Sequence, residues 1–158
     1  MRELAGATAI VTFAILFGAW WHSNGAISGR AVVTEGDTLR IGSHRIRLFG
    51  IDAPEMAQTC GKAECGVLAR NYLIALIGYQ PVSCRRAGTS YDRIVGVCHT
   101  TAGLDLSEGM VRSGWAIELK YFSHGRYEAA EREARAAGAG VWSLPFRRPS
   151  EFRAEHKR

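Results

Sequence analysis

The stretch Gly36–Glu55 carries three carboxylates, Asp37, Asp52 and Glu55, and one arginine between them, Arg47. Carboxylates brought close together repel each other near neutral pH, and a hard divalent cation removes that conflict. Calcium and magnesium both take oxygen ligands, and calcium also accepts backbone carbonyls and several waters. Pro54 fixes its own φ and biases Ala53 away from the helical region. The corner Asp52-Ala53-Pro54-Glu55 is therefore stiff. It can aim the Asp52 carboxylate, the Ala53 carbonyl and Glu55 at one point. A guanidinium at Arg47 suits bidentate recognition of a phosphate. A cation, an activated water and a clamp on phosphate oxygens are the parts of metal-assisted phosphodiester hydrolysis.

These residues need a frame to bring them together. Thr38-Leu39-Arg40-Ile41 and Arg45-Ile46-Arg47-Leu48 both alternate polar and apolar side chains, the pattern of a half-buried strand. Gly42-Ser43 between them is a turn signal. The segment reads as a hairpin that returns Asp52 to the edge where Asp37 began. Taken singly, Asp37 fits an ordinary turn residue and Asp52 to Glu55 an acidic helix start. Their order and spacing together point to a site.

The chain of 158 residues fits one domain with appendages, and its 47% apolar content is that of a globular protein. The net charge of +5 favours an anionic partner, although Arg147, Arg148, Arg153, Lys157 and Arg158 place much of the excess in the tail. Residues 1–22 read as a signal peptide or a transmembrane signal anchor. Leu4 to Trp21 is uncharged, and as helix it spans about 27 Å. Trp20 and Trp21 favour an anchor; small residues around Ser23 to Ser28 favour cleavage. Either way the domain lies outside the cytoplasm, on the periplasmic or extracellular side of a membrane or secreted. Four cysteines suit that compartment. A hairpin centred on Tyr91 pairs Cys84 with Cys98, and Cys60 and Cys65 flank a short loop, which predicts disulfides Cys84–Cys98 and Cys60–Cys65. Free thiols and a zinc site are the competing readings. The histidines form no ligand pattern, and there is no internal repeat, phosphate-binding glycine loop or nucleophile elbow.

The remaining elements follow in order. Residues 23–28 read as a linker, and Gly29 to Val33 as a first strand. Val67–Ile77 reads as a helix with Leu68, Tyr72, Ala75 and Leu76 on one face, ended by Gly78. Gln80–Arg85 and Arg93–His99 form a second hairpin. Leu104–Ser113 is a helix with Leu106, Met110 and Val111 inward, followed by buried Trp115 and Ile117. Tyr127–Ala137 is a third helix. The domain spans 29–143, and the basic tail 144–158 is expected to be mobile. Five short strands with helices between them fit a small closed barrel.

At Gly36-Asp37-Thr38 and Ile46-Arg47-Leu48-Phe49-Gly50-Ile51-Asp52-Ala53-Pro54-Glu55 the sequence resembles the staphylococcal nuclease family, and the resemblance runs on through Arg93 to Gly140-Val141-Trp142. It implies an α+β, mainly β fold: the five-stranded oligonucleotide-binding barrel with three helices, here preceded by an N-terminal hydrophobic helix. It also implies a calcium-dependent nuclease that hydrolyses the P–O5′ bond of DNA or RNA and leaves a 3′-phosphate. Asp37 and Asp52 are then Ca²⁺ ligands with the Ala53 carbonyl, Glu55 orients or deprotonates water, and Arg47 and Arg93 hold the scissile phosphate. The family carries Asp-x-Tyr-Gly-Arg where this chain has Thr89-Ser90-Tyr91-Asp92-Arg93. Asp92 there tolerates a left-handed backbone, but it can also pair with Arg93 and weaken its pull on phosphate. Tyr91 and Tyr121 are expected to offer faces to unpaired bases. The partners are nucleic acid and, if the leader is uncleaved, a membrane; the protein is expected to be a monomer. The alternative is a barrel that binds nucleic acid or protein without cutting.

Overall fold

A computed structural model of the protein describes residues 25–156. The expected leader at 1–22, Ser23 and Asn24, and Lys157 and Arg158 lie outside the described residues. Among the described residues no helix is long and apolar enough to cross a membrane.

Strands β1 (Ala26–Gly29) and β2 (Ala31–Glu35) are two halves of one extended run broken at Arg30. β3 (Thr38–Ile41) and β4 (His44–Leu48) follow, then the short β5 (Ile51–Asp52). Helix α1 (Cys65–Ile77) leads to β6 (Val82–Ser90) and β7 (Arg93–Thr100). Helix α2 (Leu106–Arg112), β8 (Ile117–Glu118), α3 (Lys120–Ser123) and α4 (Glu128–Ala136) come next. A 3₁₀ turn (Gly140–Ser143) and α5 (Pro149–Glu155) end the described chain. The main sheet has the order β1-β6-β7-β4-β3-β2, with β4 and β7 parallel. Its two edges, β1 and β2, are consecutive in the chain. The sheet therefore closes on itself, and closure removes exposed strand edges. Counting β1 and β2 as one strand gives the five expected. The residues expected as a linker begin that strand: Ala26 to Gly29 pair with Arg85 to Val82.

The first hairpin forms as its alternation predicts. Thr38 faces Arg47 and Ile41 faces His44, around a two-residue turn at Gly42-Ser43. Leu39, Ile41, Ile46 and Leu48 enter the core, while Arg40 and Arg45 face solvent. Cys84 and Cys98 stand opposite each other on β6 and β7 and are bonded, as are Cys60 and Cys65.

Three expectations are corrected. Among the described residues there are five α-helices and a 3₁₀ turn, not three helices. The core face of α1 is Ala69, Leu73 and Ile77; Leu68 is 41% exposed. Apart from Arg70 and Asn71 the helix is apolar, so periodicity does not choose clearly between faces. The tail expected to be mobile instead builds α5, which starts with Pro149 in its first turn and Glu151 bonded back to the Arg148 N–H.

Two glycines set how closely the helix meets the first hairpin. A Cβ on Gly36 would lie 2.8 Å from both the Ala53 and the Ala69 Cβ. A Cβ on Gly66 would lie 1.8 Å from the Glu55 carbonyl oxygen. Overpacking of this kind costs about 1–3 kcal/mol or more. Gly66→Ala is expected to lose at least that much stability in denaturant unfolding. Gly25→Ala, whose Cβ meets nothing within 4 Å, is expected to change it by only a few tenths of a kcal/mol. Equal midpoints for the two variants would contradict the packing argument.

Candidate active site

Asp37 sits in the tight turn between β2 and β3. Its carbonyl accepts the Leu48 N–H at 2.8 Å, which ties the turn to the end of β4. Its Oδ1 accepts the Thr38 hydroxyl at 2.8 Å. Because Thr38 faces Arg47 in the hairpin register, the arginine lies beside Asp37. Arg47 Nη2 meets Asp37 Oδ2 at 2.8 Å and Asp52 Oδ1 at 2.6 Å. The two aspartates, 4% and 1% exposed, thus converge on one nitrogen.

Asp52 is held from behind by the small sheet β5–β8, in which it pairs with Ile117. That sheet has its own polar anchor. Glu118 is buried and its Oε1 accepts from the Ser123 hydroxyl and the Tyr127 N–H, both at 2.7 Å. Glu131 Oε2 accepts the Glu118 N–H at 2.8 Å. Just beyond, Ala53 is buried, and Glu55 is fixed through its backbone. Its carbonyl accepts the Gln58 N–H at 2.8 Å, and its N–H donates to Gln58 Oε1 at 3.2 Å. The close seat of Gly66 then locks this turn against α1.

A cleft of about 920 Å³ brings Arg47, Glu55, Tyr91, Arg93 and Arg153 to one surface. Asp37 and Asp52 are buried behind it, bonded to Arg47. Among the described residues Arg93 makes no ion pair. Asp92 turns instead toward Arg45, at 3.8 Å. The turn carries its left-handed residue at Tyr91, with φ of 56°, rather than at Asp92. A bulky residue there is strained, and Tyr91 is almost fully exposed. Tyr121 is not in this cleft. It lines an adjoining one of about 830 Å³ that shares the Arg47 and Phe122 walls.

The structure adds residues that sequence reasoning missed. Arg153, from α5, donates to Asp52 Oδ2 at 3.0 Å and to Glu55 Oε1 at 2.6 Å. Gln58, 1% exposed, also donates to the Arg147 carbonyl at 2.8 Å, joining the Glu55 turn to the C-terminal segment. The Pro149 and Glu151 pattern was a readable helix start, but nothing local distinguished Arg153 from the other tail arginines.

Burial raises the Asp37 carboxyl above its ordinary value; Arg47 and the Thr38 hydroxyl oppose the rise without cancelling it, and Asp52 adds to it. Hydrogen bonds to Asp52 and Glu55 raise the Arg153 guanidinium, so it stays charged. A buried carboxyl that resists ionisation, as Asp37 does, marks a place that favours a neighbouring positive charge. Among the described residues no three His, Cys, Asp or Glu side chains gather into a metal-holding group. The groups that could hold a cation are the two convergent carboxylates of Asp37 and Asp52, with the backbone of buried Ala53 next in the chain. This all-oxygen set fits a hard cation that completes its shell with water.

Comparison with known proteins shows the family of the chain. The family model for staphylococcal nuclease homologues matches residues 45–144. The chain is 34% identical over 131 residues to the succinoglycan biosynthesis protein ExoI of Rhizobium meliloti (strain 1021), covering 77% of this chain and 69% of that protein. It is 31% identical over 125 residues to an uncharacterized endonuclease of Escherichia coli, covering 74% and 78%. It is 35% identical over 102 residues to the probable staphylococcal-like nuclease CAN2 of Oryza sativa subsp. japonica, covering 63% of this chain but only 26% of that protein. With the barrel, the first hairpin and the Asp-Ala-Pro-Glu corner in place, the chain belongs to the staphylococcal nuclease homologue family.

Proposed function

We propose that the protein is a calcium-dependent phosphodiesterase that hydrolyses DNA or RNA outside the cytoplasm, leaving a 3′-phosphate as the family resemblance implies. The observation that carries this reading is the convergence of Asp37 and Asp52 on one point beside a cleft lined by Glu55, Arg47 and Arg93. A relative named as an endonuclease supports the reaction class. The two disulfides support an oxidising compartment.

In this reading Asp37, Asp52 and the Ala53 carbonyl hold Ca²⁺. When bound, the cation supplies charge neutralisation and a Lewis acid for the phosphate. Glu55, half-exposed at the cleft wall, orients or deprotonates the attacking water. Arg47 meets the aspartates through Nη2, which leaves its other guanidinium N–H groups for a phosphate oxygen. Arg93, facing the same cleft with no paired carboxylate among the described residues, stabilises charge developing on the phosphate. Tyr91 stands at the cleft with its ring exposed to stack on an unpaired base. Tyr121 serves the adjoining cleft, where a neighbouring nucleotide can lie.

Single-stranded DNA is expected to be cut in calcium and left intact with chelator. Glu55→Ala and Arg93→Ala are each expected to lower the rate about 10²–10³-fold, the usual loss on removing one transition-state contact. Unchanged rates in either variant would remove that residue from the mechanism. Polynucleotide binding without cutting by the wild type would favour the non-cleaving barrel.

Tyr91→Gly relieves the left-handed strain while deleting the ring. It is expected to unfold at the same or a higher temperature, yet to bind single-stranded DNA about 5- to 150-fold more weakly, a loss of about 1–3 kcal/mol of stacking. Unchanged affinity would count against base stacking at this position.

Asp37 binds its proton more tightly folded than unfolded. Its contribution to stability is full below the unfolded value of 3.8 and is lost as pH rises through the raised folded value. Asp37→Asn escapes that loss. In calcium-free buffer the variant is expected to gain stability over the wild type as pH rises above about 4, while losing calcium affinity. A stability difference that does not change with pH would argue against a buried, reluctant carboxylate.

A further inference from the structure

Arg153 occupies the site in a specific way. Nη1 donates to Asp52 Oδ1 at 3.1 Å and Nη2 to Asp52 Oδ2 at 3.0 Å, a fork on one carboxylate. Nη1 also reaches Glu55 Oε1 at 2.6 Å. Arg47 adds a second donor to Asp52 Oδ1. Both oxygens of Asp52 therefore already accept guanidinium N–H groups. The space between Asp52 and Glu55, where the proposed reaction needs a cation and a water, is filled by a side chain from α5.

The helix that brings this arginine is placed by polar tethers rather than by a broad apolar face. The Gln58 side chain grips the Arg147 carbonyl at 2.8 Å, and Arg147 Nη1 bonds Glu55's neighbour in space, α5, through Glu155 Oε1 at 2.7 Å. Of the helix residues only Pro149 is buried, and Phe152 stacks on His156 within the segment itself at 4.0 Å. Phe146, just before it, packs edge-on against Trp142 at 5.8 Å beside the Cys60–Cys65 bridge. The segment is thus anchored near Phe146 and lightly held beyond it. An element with few buried apolar contacts opens at low cost.

We infer that Arg153 is an intramolecular competitor of the divalent cation: it neutralises Asp52 and Glu55 while the cation is absent, and cation binding displaces it and loosens α5. This rests on the cation site proposed above. Two positive groups that need the same carboxylate oxygens bind at each other's expense, and the coupling is reciprocal. Together with Arg47 the arginine keeps the buried Asp52 carboxylate compensated until the cation arrives, because an unpaired buried charge is strongly destabilising.

Calcium titration by calorimetry on the full chain tests this without reference to activity. Arg153→Gln is expected to bind calcium about tenfold more tightly than the wild type, within the usual range of site-to-site coupling. Arg153→Lys, which keeps the charge but loses the fork, is expected to fall between them. Arg132→Gln, an exposed charge on α4 away from the cleft, is expected to match the wild type. In the wild type, amide hydrogen exchange across residues 149–155 is expected to speed up on calcium saturation. Equal or weaker calcium affinity in Arg153→Gln overturns the inference and leaves the cation site standing. Calcium binding by neither protein overturns both. If Arg153→Gln fails to fold, Arg153→Lys decides alone: tighter binding than wild type supports the competition, and equal binding overturns it.

Discussion

Asp37 and Asp52 are buried carboxyls that converge on one nitrogen, and a protein interior does not hold such a pair ionised without a positive charge between them. Arg47 supplies that charge with a single nitrogen. Much of the neighbouring structure serves to keep these three groups in place. The barrel strand carrying Arg47 is registered against the strand that follows Asp37, and the small β5–β8 sheet holds Asp52 from the other side. The burial that raises the Asp37 carboxyl also makes the pocket receptive to a cation. Stability and receptivity therefore oppose each other at this point, as they commonly do at functional sites.

Backbone proximity does the fine placement. The turn before Asp37, the Ala53 corner and α1 meet where only a glycine at position 36 fits, and Glu55 rests directly on Gly66. Neither glycine touches the cleft. Each removes a side chain so that a carboxylate-bearing segment can come a few ångströms nearer. The second hairpin works differently: its turn places Arg93 at the cleft, and the left-handed strain at Tyr91 falls on the residue that stands most exposed there. Strained backbone of this kind tends to mark sites where orientation matters more than local stability.

The C-terminal segment changes how the site is viewed. A barrel with its cleft open would present Glu55 and part of Asp52 to water. Here Gln58 and the aromatic cluster around the Cys60–Cys65 bridge lead the chain back across the barrel, so that Arg153 reaches both carboxylates. The first hairpin thus has one arginine from its own strand and a second from about a hundred residues later. One is fixed by strand register; the other is held by a short helix with little buried surface.

The sequence by itself determined the first hairpin, its register, the stiff acidic corner, both disulfide pairings and the family, because each rests on signals a few residues apart: alternation, a two-residue turn, proline geometry, facing cysteines. The resemblance singled out Arg93, and the structure places it on the wall of the cleft. Closure of the sheet by one strand split at Arg30, the inward face of α1 and the partner of Asp92 were decided only in three dimensions. A helix apolar except at Arg70 and Asn71 shows no clear face until something packs on it, and a charged side chain at a turn chooses among partners that local sequence does not reveal. Arg153 is the clearest case. It belongs to the site through contacts spanning 98 and 101 positions, and among several tail arginines only the folded path of the chain singles it out.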